Sequence, residues 1–137
     1  MIVDRRILVV DDDPGFRKGI ERLLRVNGFK VSGFSSAEEF QAHADLDHAA
    51  CLILDIHLGG ISGIELRHQQ RRSGSTVPVI FVTGKGSEAN HKAALAAGCV
   101  AYLEKPCRAK ALMDAVSIAL RSSLALQERS ANSPSAS

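Results

Sequence analysis

Hydrophobic and polar positions along this chain switch repeatedly between two rhythms. Ile7-Leu8-Val9-Val10 is a short apolar run without alternation, the pattern of a strand buried on both faces. Asp11-Asp12-Asp13 closes it. Pro14 suits the first turn of a helix with Asp13 as its N-cap, and Phe16, Ile20, Leu23 and Leu24 then recur at helical spacing until Asn27-Gly28. The same rhythm returns. Residues 29–34 predict a second strand, and Ser35 with Glu38, or Ser36 with Glu39, makes a capping box for a helix to about Ala44. Residues 45–49 form a polar connection. Cys51-Leu52-Ile53-Leu54 is another buried strand, closed by Asp55. Ser62 with Glu65 opens a helix to about Arg72. A fourth strand follows over 77–82, with Pro78 tolerable only near its start. An alanine-rich helix over 88–97 stops at Gly98, and 100–103 is a short fifth strand. The last helix starts near Arg108 with Leu112, Met113, Val116, Leu120 and Leu124 as its apolar stripe.

Strand and helix thus alternate about five times, which predicts an α/β domain: a parallel sheet with helices on both faces. Residues 1–126 form that one domain. Residues 127–137 open with Gln127-Glu128-Arg129 and continue with only Ser, Ala, Asn and Pro, with little to bury, and they read as a disordered C-terminal tail.

Bulk properties narrow the function classes. The 137 residues carry a formal charge of +2, too near neutral for an electrostatic nucleic-acid binder. The densest basic patch, Arg67-His68-Gln69-Gln70-Arg71-Arg72, reads as a solvated helix end, because cations favour helix C-termini. Cys51, Cys99 and Cys107 form no Cys-x-x-Cys, so neither a disulfide framework nor zinc is indicated and a reducing cytoplasm fits. Met1-Ile2-Val3-Asp4-Arg5-Arg6 lacks a signal-peptide pattern, and no apolar run reaches membrane-spanning length.

The chemistry lies at the strand ends. Asp11 and Asp12 follow the first strand, Asp55 ends the third, Thr83 the fourth, and Lys105 comes just after the fifth. In a parallel sheet these ends share one edge, where open α/β sheets bind ligands. Crowded carboxylates repel one another, and a hard divalent cation relieves that; oxygen ligands with water left over suit Mg²⁺. A lysine and a hydroxyl beside a metal suit a phosphoryl group, and an aspartate can be its nucleophile. Asp55 is the reactive candidate. Asp13 reads as a cap rather than a ligand. His43, His48, His68 and His91 have no ligand spacing with carboxylates and read as surface. Tyr102, the only tyrosine, is by itself a half-buried core aromatic. Cys107 reads as structural.

Val9-Val10-Asp11-Asp12-Asp13-Pro14, Leu54-Asp55, Val82-Thr83-Gly84 and Glu104-Lys105-Pro106, in this order and at these spacings, resemble the receiver domain of two-component response regulators, the CheY-like family. The resemblance runs from Arg6 to about Leu120. It implies a flavodoxin-like, doubly wound five-stranded sheet of order 2-1-3-4-5, an order for which CheY is a type example. It also implies roles. Asp55 would take a phosphoryl group from a phosphohistidine on a sensor histidine kinase or phosphotransfer protein. Asp12, Asp55 and the backbone carbonyl of His57 would hold Mg²⁺, with Asp11 bonding through a metal water. Lys105 would pair with the phosphoryl oxygens, Thr83 would move to bond them, and Tyr102 would turn inward behind it. The Lys105–Pro106 peptide would be cis. A downstream protein would read the face formed by the fourth helix, fifth strand and fifth helix, and a phosphorylation-dependent dimer is a further partner that the family allows. The expected protein is a stand-alone regulator in phosphorelay signal transduction, with no DNA-binding domain, no membrane contact and no enzymatic turnover of its own.

The pattern departs from the family in places. Gly59 stands where proline is usual, which predicts a freer loop. Ser62 replaces an aspartate, although it caps a helix as well. His57 and Lys85 occupy variable positions that in the family help set dephosphorylation rate. The Thr83-Gly84-Lys85-Gly86 stretch looks most like regulators of the FixJ type, which carry an output domain. Two rivals differ in class. A magnesium phosphatase of the haloacid dehalogenase type wants Asp-x-Asp-x-Thr/Val on its first strand, and Gly15 stands at the last place. A pseudo-receiver that binds partners without phosphorylation would lack an acidic residue, the threonine or the lysine, and all are present.

Overall fold

The computed structural model describes residues 6–132, with side chains over 6–123. Five strands and five helices alternate: β1 (Arg6–Val10), α1 (Pro14–Val26), β2 (Lys30–Phe34), α2 (Ala37–His43), β3 (Ala49–Asp55), α3 (Gly63–Arg72), β4 (Val79–Thr83), α4 (Glu88–Ala97), β5 (Ala101–Glu104) and α5 (Ala109–Asn132). All pairings are parallel and the order is β2-β1-β3-β4-β5. The flavodoxin-like order implied by the motifs is the observed one. Because successive strand residues face opposite sides, the apolar runs split into two cores. Leu8, Val10, Leu52, Leu54, Val79 and Phe81 meet Phe40 of α2, Leu66 of α3 and Ala94 and Ala97 of α4. Ile7, Val9, Ile53, Ile80 and Val82 meet Ile20 and Leu24 of α1 and Leu112 and Val116 of α5. Runs without alternation are what such a sheet requires, since both of its faces are covered.

The helix starts follow the caps. The Asp13 side chain accepts from the amides of Gly15 and Phe16, Ser62 from that of Glu65, and Ser87 from that of Asn90. At α2 the second of the two capping registers is used: Ser36 accepts from Glu39 N at 3.0 Å, while Glu39 Oε1 accepts from Ser35 N at 2.9 Å. The polar connection before β3 contains a 3₁₀ turn over Leu46–His48. β4 starts two residues later than expected. Pro78 has no amide to donate, and the Val77 carbonyl is taken by the side chains of Arg67 and Gln70.

Two expectations need correction. α5 continues to Asn132, so the stretch from Gln127 read as disordered tail is helical backbone for six residues; 133–137 lie outside the described residues. Gln127, Glu128 and Arg129 are good helix formers, no Pro or Gly intervenes before Pro134, and a formed helix propagates at little cost. The basic patch is not simply a solvated helix end. Arg67 donates to Gly98 O at 3.1 Å, Val77 O at 2.9 Å and Gln70 Oε1 at 2.8 Å, and Arg71 donates to Ala97 O at 3.0 Å. α4 has no basic residue in its last turn, and α3 supplies the cations that meet its orphan carbonyls.

Candidate functional site

Strand register brings the candidate residues to one edge. Val10 is level with Leu54, Asp55 with Val82, and Thr83 with Glu104. The chain leaving each strand therefore emerges beside its neighbours. Asp11 N still donates to Phe34 O, Ile56 N to Val82 O and Lys105 N to Thr83 O, so the ladder holds the backbone right up to the candidate side chains. The Lys105–Pro106 peptide is cis, as the resemblance implies.

Two carboxylates are buried here, Asp11 at 0 % and Asp55 at 3 % exposure, whereas Asp12 is exposed. Lys105 Nζ lies between the buried pair, 2.8 Å from Asp11 Oδ2 and 3.2 Å from Asp55 Oδ2. Burial pushes the Asp55 carboxyl above the ordinary carboxylate range, and the charge of Asp11 adds to the rise; the His57 amide and Lys105 oppose it. Burial also works against the Lys105 ammonium, but hydrogen bonds and charge from Asp11 and Asp55 outweigh it, and the net shift is upward. One cation thus faces two buried anions, with a third carboxylate at the rim.

The donor set fits a hard cation. Asp11, Asp12 and Asp55 each offer an oxygen, and these oxygens lie within 4.8 Å of one another. Asp11 Oδ2 is buried and, beyond its ion pair, has no aligned hydrogen-bond donor, which leaves a lone pair for a metal-bound water. The remaining oxygens are oriented from the backbone: Asp13 N donates to Asp11 Oδ1 at 2.9 Å and His57 N to Asp55 Oδ1 at 3.1 Å.

The other candidates divide. Thr83 is fully buried at the end of β4, its Oγ1 accepting from Lys85 N at 3.1 Å. Tyr102 is level with Phe81, two positions below Thr83, so it does not join the charged cluster. Its hydroxyl is buried with no hydrogen-bond partner among the described residues, and its ring stacks on His91 at 4.6 Å. His91, read as plain surface, is exposed but serves as that stacking partner. The His57 side chain turns away to α4, where Asn90 Nδ2 lies 3.2 Å from its Nε2 and also donates to Lys85 O at 3.1 Å. Gly59 has φ +79°, a region closed to proline, so the loop after Asp55 follows a path the usual family residue could not take.

Several contributors carry no mark in the sequence. Arg17 Nη1 donates to Asp11 O at 2.8 Å and fixes the acidic turn. The ring of Phe16 lies under Lys105 Nζ, 4.3 Å from its centroid. Asn90 is visible only once α4 is set against the β3–α3 loop. Gly63 could have been suspected from its place after a helix cap. A Cβ there would run into the Asp55 carbonyl, so only glycine lets α3 start so close to β3.

Comparison with known proteins agrees with this geometry. The family description that matches, over residues 7–117, is the response regulator receiver domain. Nodulation protein W of Bradyrhizobium diazoefficiens is 36 % identical over 110 residues, 80 % of this chain and 48 % of that protein. A solved structure of the response regulator StyR has a TM-score of 0.84 at 35 % identity, covering 91 % of this chain and 63 % of that one. The crystal structure of FixJ-N gives 0.78 at 31 %, covering 88 % and 96 %. The chain spans about half the length of the curated relatives it matches. Among the described residues no helix is long and apolar enough to cross a membrane. With the acids of β1 and β3, the threonine of β4 and the lysine after β5 gathered at one edge of a 2-1-3-4-5 sheet, the chain belongs to the response regulator receiver domain family, the CheY-like signalling modules of two-component systems.

Proposed function

We propose that Asp55 is the phosphoryl acceptor of this receiver and that the donor is a phosphohistidine on a sensor histidine kinase or phosphotransfer protein. The observation that carries this reading is the Lys105 ammonium, bridging Asp11 and Asp55 at the open edge of the sheet. A carboxylate oxygen of Asp55 attacks phosphorus. The new P–O bond forms as the P–N bond breaks, and its electron pair leaves with the imidazole nitrogen. Lys105 then meets the phosphoryl oxygens with a charge-assisted bond. Asp12, Asp55 and the His57 carbonyl would hold Mg²⁺, with Asp11 acting through a water. The bound ion would supply the positive charge that lets carboxylates and phosphoryl oxygens share one site.

Thr83 then exchanges its bond from Lys85 N for a phosphoryl oxygen, and Tyr102 follows it. The surface that answers is α4–β5–α5, where Leu95 and Ile118 are 58 % and 46 % exposed and offer apolar contacts to a protein partner. Ala94 and Ala97 of α4 are buried in the core, so only its outer residues are available there. Intact-mass measurement after acetyl phosphate treatment tests the reading. One phosphoryl group is expected with Mg²⁺ and none with chelator or in Asp55→Asn. Wild-type labelling of that variant would sink the assignment.

A further inference from the structure

We propose that Phe16 is a positioning residue for Lys105, holding its ammonium at the carboxyl edge while it exchanges oxygen partners. The proposal rests on the reading of Asp55 as phosphoryl acceptor. Nζ lies over the Phe16 ring, 4.3 Å from the centroid, and it is also paired with Asp11 and Asp55. The partners differ in kind. When Asp55 becomes an acyl phosphate, its carboxylate charge is gone and new oxygens appear farther out. The ring does not change. A hydrogen bond to a carboxylate weakens within a few tenths of an ångström, but attraction to a ring face persists out to about 6 Å from the centroid. The ammonium can therefore slide toward the phosphoryl oxygens without losing the ring.

Phe16 is also a wall. It lines a groove of about 270 Å³ between α1 and α5, together with Gly15, Gly19, Ile20, Cys107 and Leu112. None of the described residues stands within 4 Å of where a Gly19 side chain would begin, so the groove is open to them there. A residue without a ring at 16 would expose the ammonium to water from this side, and a hydrated ammonium pulls less strongly on phosphoryl oxygens. The ring's base is fixed: Asp13 Oδ1 accepts from Phe16 N at 3.3 Å, and the neighbouring Arg17 is tied to Asp11 O.

Phe16→Leu keeps apolar bulk and removes the ring face; Phe16→Tyr and Phe16→Trp keep a ring. With acetyl phosphate and saturating Mg²⁺, Phe16→Leu should lower the maximal labelling rate about fivefold to tenfold, the size of a partly desolvated cation–π contact. Its Mg²⁺ affinity, followed through the amides of Asp12 and His57, should not change. The two aromatic variants should label within about twofold of wild type, because the ring face is retained. Wild-type labelling by Phe16→Leu, or an equal loss in all three variants, overturns the proposal. A second measurement needs no phosphorylation: in the free wild type the Lys105 Cε protons should be shifted upfield by the ring, and unshifted protons overturn the contact. A wild type that is ring-shifted yet takes no label would instead refute the phosphoacceptor reading, and the positioning role would fall with it.

Discussion

Two clusters of buried charge sit on opposite ends of this sheet's helical cover, and they are completed in different ways. At the seam between α3 and α4, the half-buried Arg67 spreads its donors over Gly98 O, Val77 O and Gln70 Oε1. Its partners are neutral and numerous, and they include carbonyls at a helix C-terminus that want a cation. At the carboxyl edge, Asp11 and Asp55 put two like charges out of water against one lysine, and a buried Asp11 oxygen is left without an aligned donor. Burial of charge alone therefore does not mark a working site. The seam is a closed arrangement that fixes two helices. The edge is incomplete by one or two positive charges, and that deficit is what a metal ion and a transferring phosphoryl group can use.

The sharpest way to break the contrast is Lys105→Met. It removes the ammonium that pairs with both Asp11 and Asp55 and should lower stability in urea by about 3 kcal/mol at pH 7 without metal, the lower end for a broken buried pair. Added Mg²⁺ should restore part of the loss. A midpoint equal to wild type would mean that the two acids do not need the lysine.

Arg67→Met attacks the other cluster. Carbonyls left unsatisfied should cost about 2 kcal/mol, and the cost should not respond to Mg²⁺. Acetyl phosphate labelling should stay at the wild-type rate. A Mg²⁺-dependent loss would merge the clusters that the comparison separates.

Asp55→Asn should have the opposite sign. The folded pKa of Asp55 lies above its ordinary value of 3.8, so the ionised group disfavours the metal-free fold at neutral pH. That penalty disappears as pH falls through the raised folded value and is gone below 3.8. The variant should melt about 3 °C higher than wild type at pH 7 without metal, and the gain should vanish in acid. Thermal melts at the two pH values check this, and a destabilised variant at pH 7 would show that the Lys105 pair outweighs burial.

Removal of 127–137 deletes no residue of either cluster. Its expected effect on stability in urea is under about 0.5 kcal/mol, as for surface changes, with labelling unchanged. A larger loss would show that the end of α5 packs on the domain.

Much of this was legible in the sequence because it is local. Caps at Asp13, Ser36 and Ser62 sit a few residues from what they bond, and each apolar run carries its closing polar residue with it. The site residues Asp11, Asp55, Thr83 and Lys105 were visible because parallel strands bring their ends together whatever lies between. What escaped depends on distance. The Arg67 acceptors Val77 O and Gly98 O are 10 and 31 positions away, and carbonyls leave no trace in a sequence. Phe16 looks like any core residue of α1 until Lys105 is set over it. The helical reach of α5 was hidden by a serine-rich composition that does not forbid a helix.

Trapping the acyl phosphate shows whether the edge's charge deficit serves phosphoryl chemistry at Asp55. Protein treated with acetyl phosphate and Mg²⁺ is reduced with borohydride, which converts an acyl phosphate to an alcohol, and the peptides are mapped by mass. Reduction is expected at residue 55 alone, dependent on Mg²⁺. Reduction at Asp11 or Asp12, or phosphate retained on His57 with residue 55 unchanged, would contradict it.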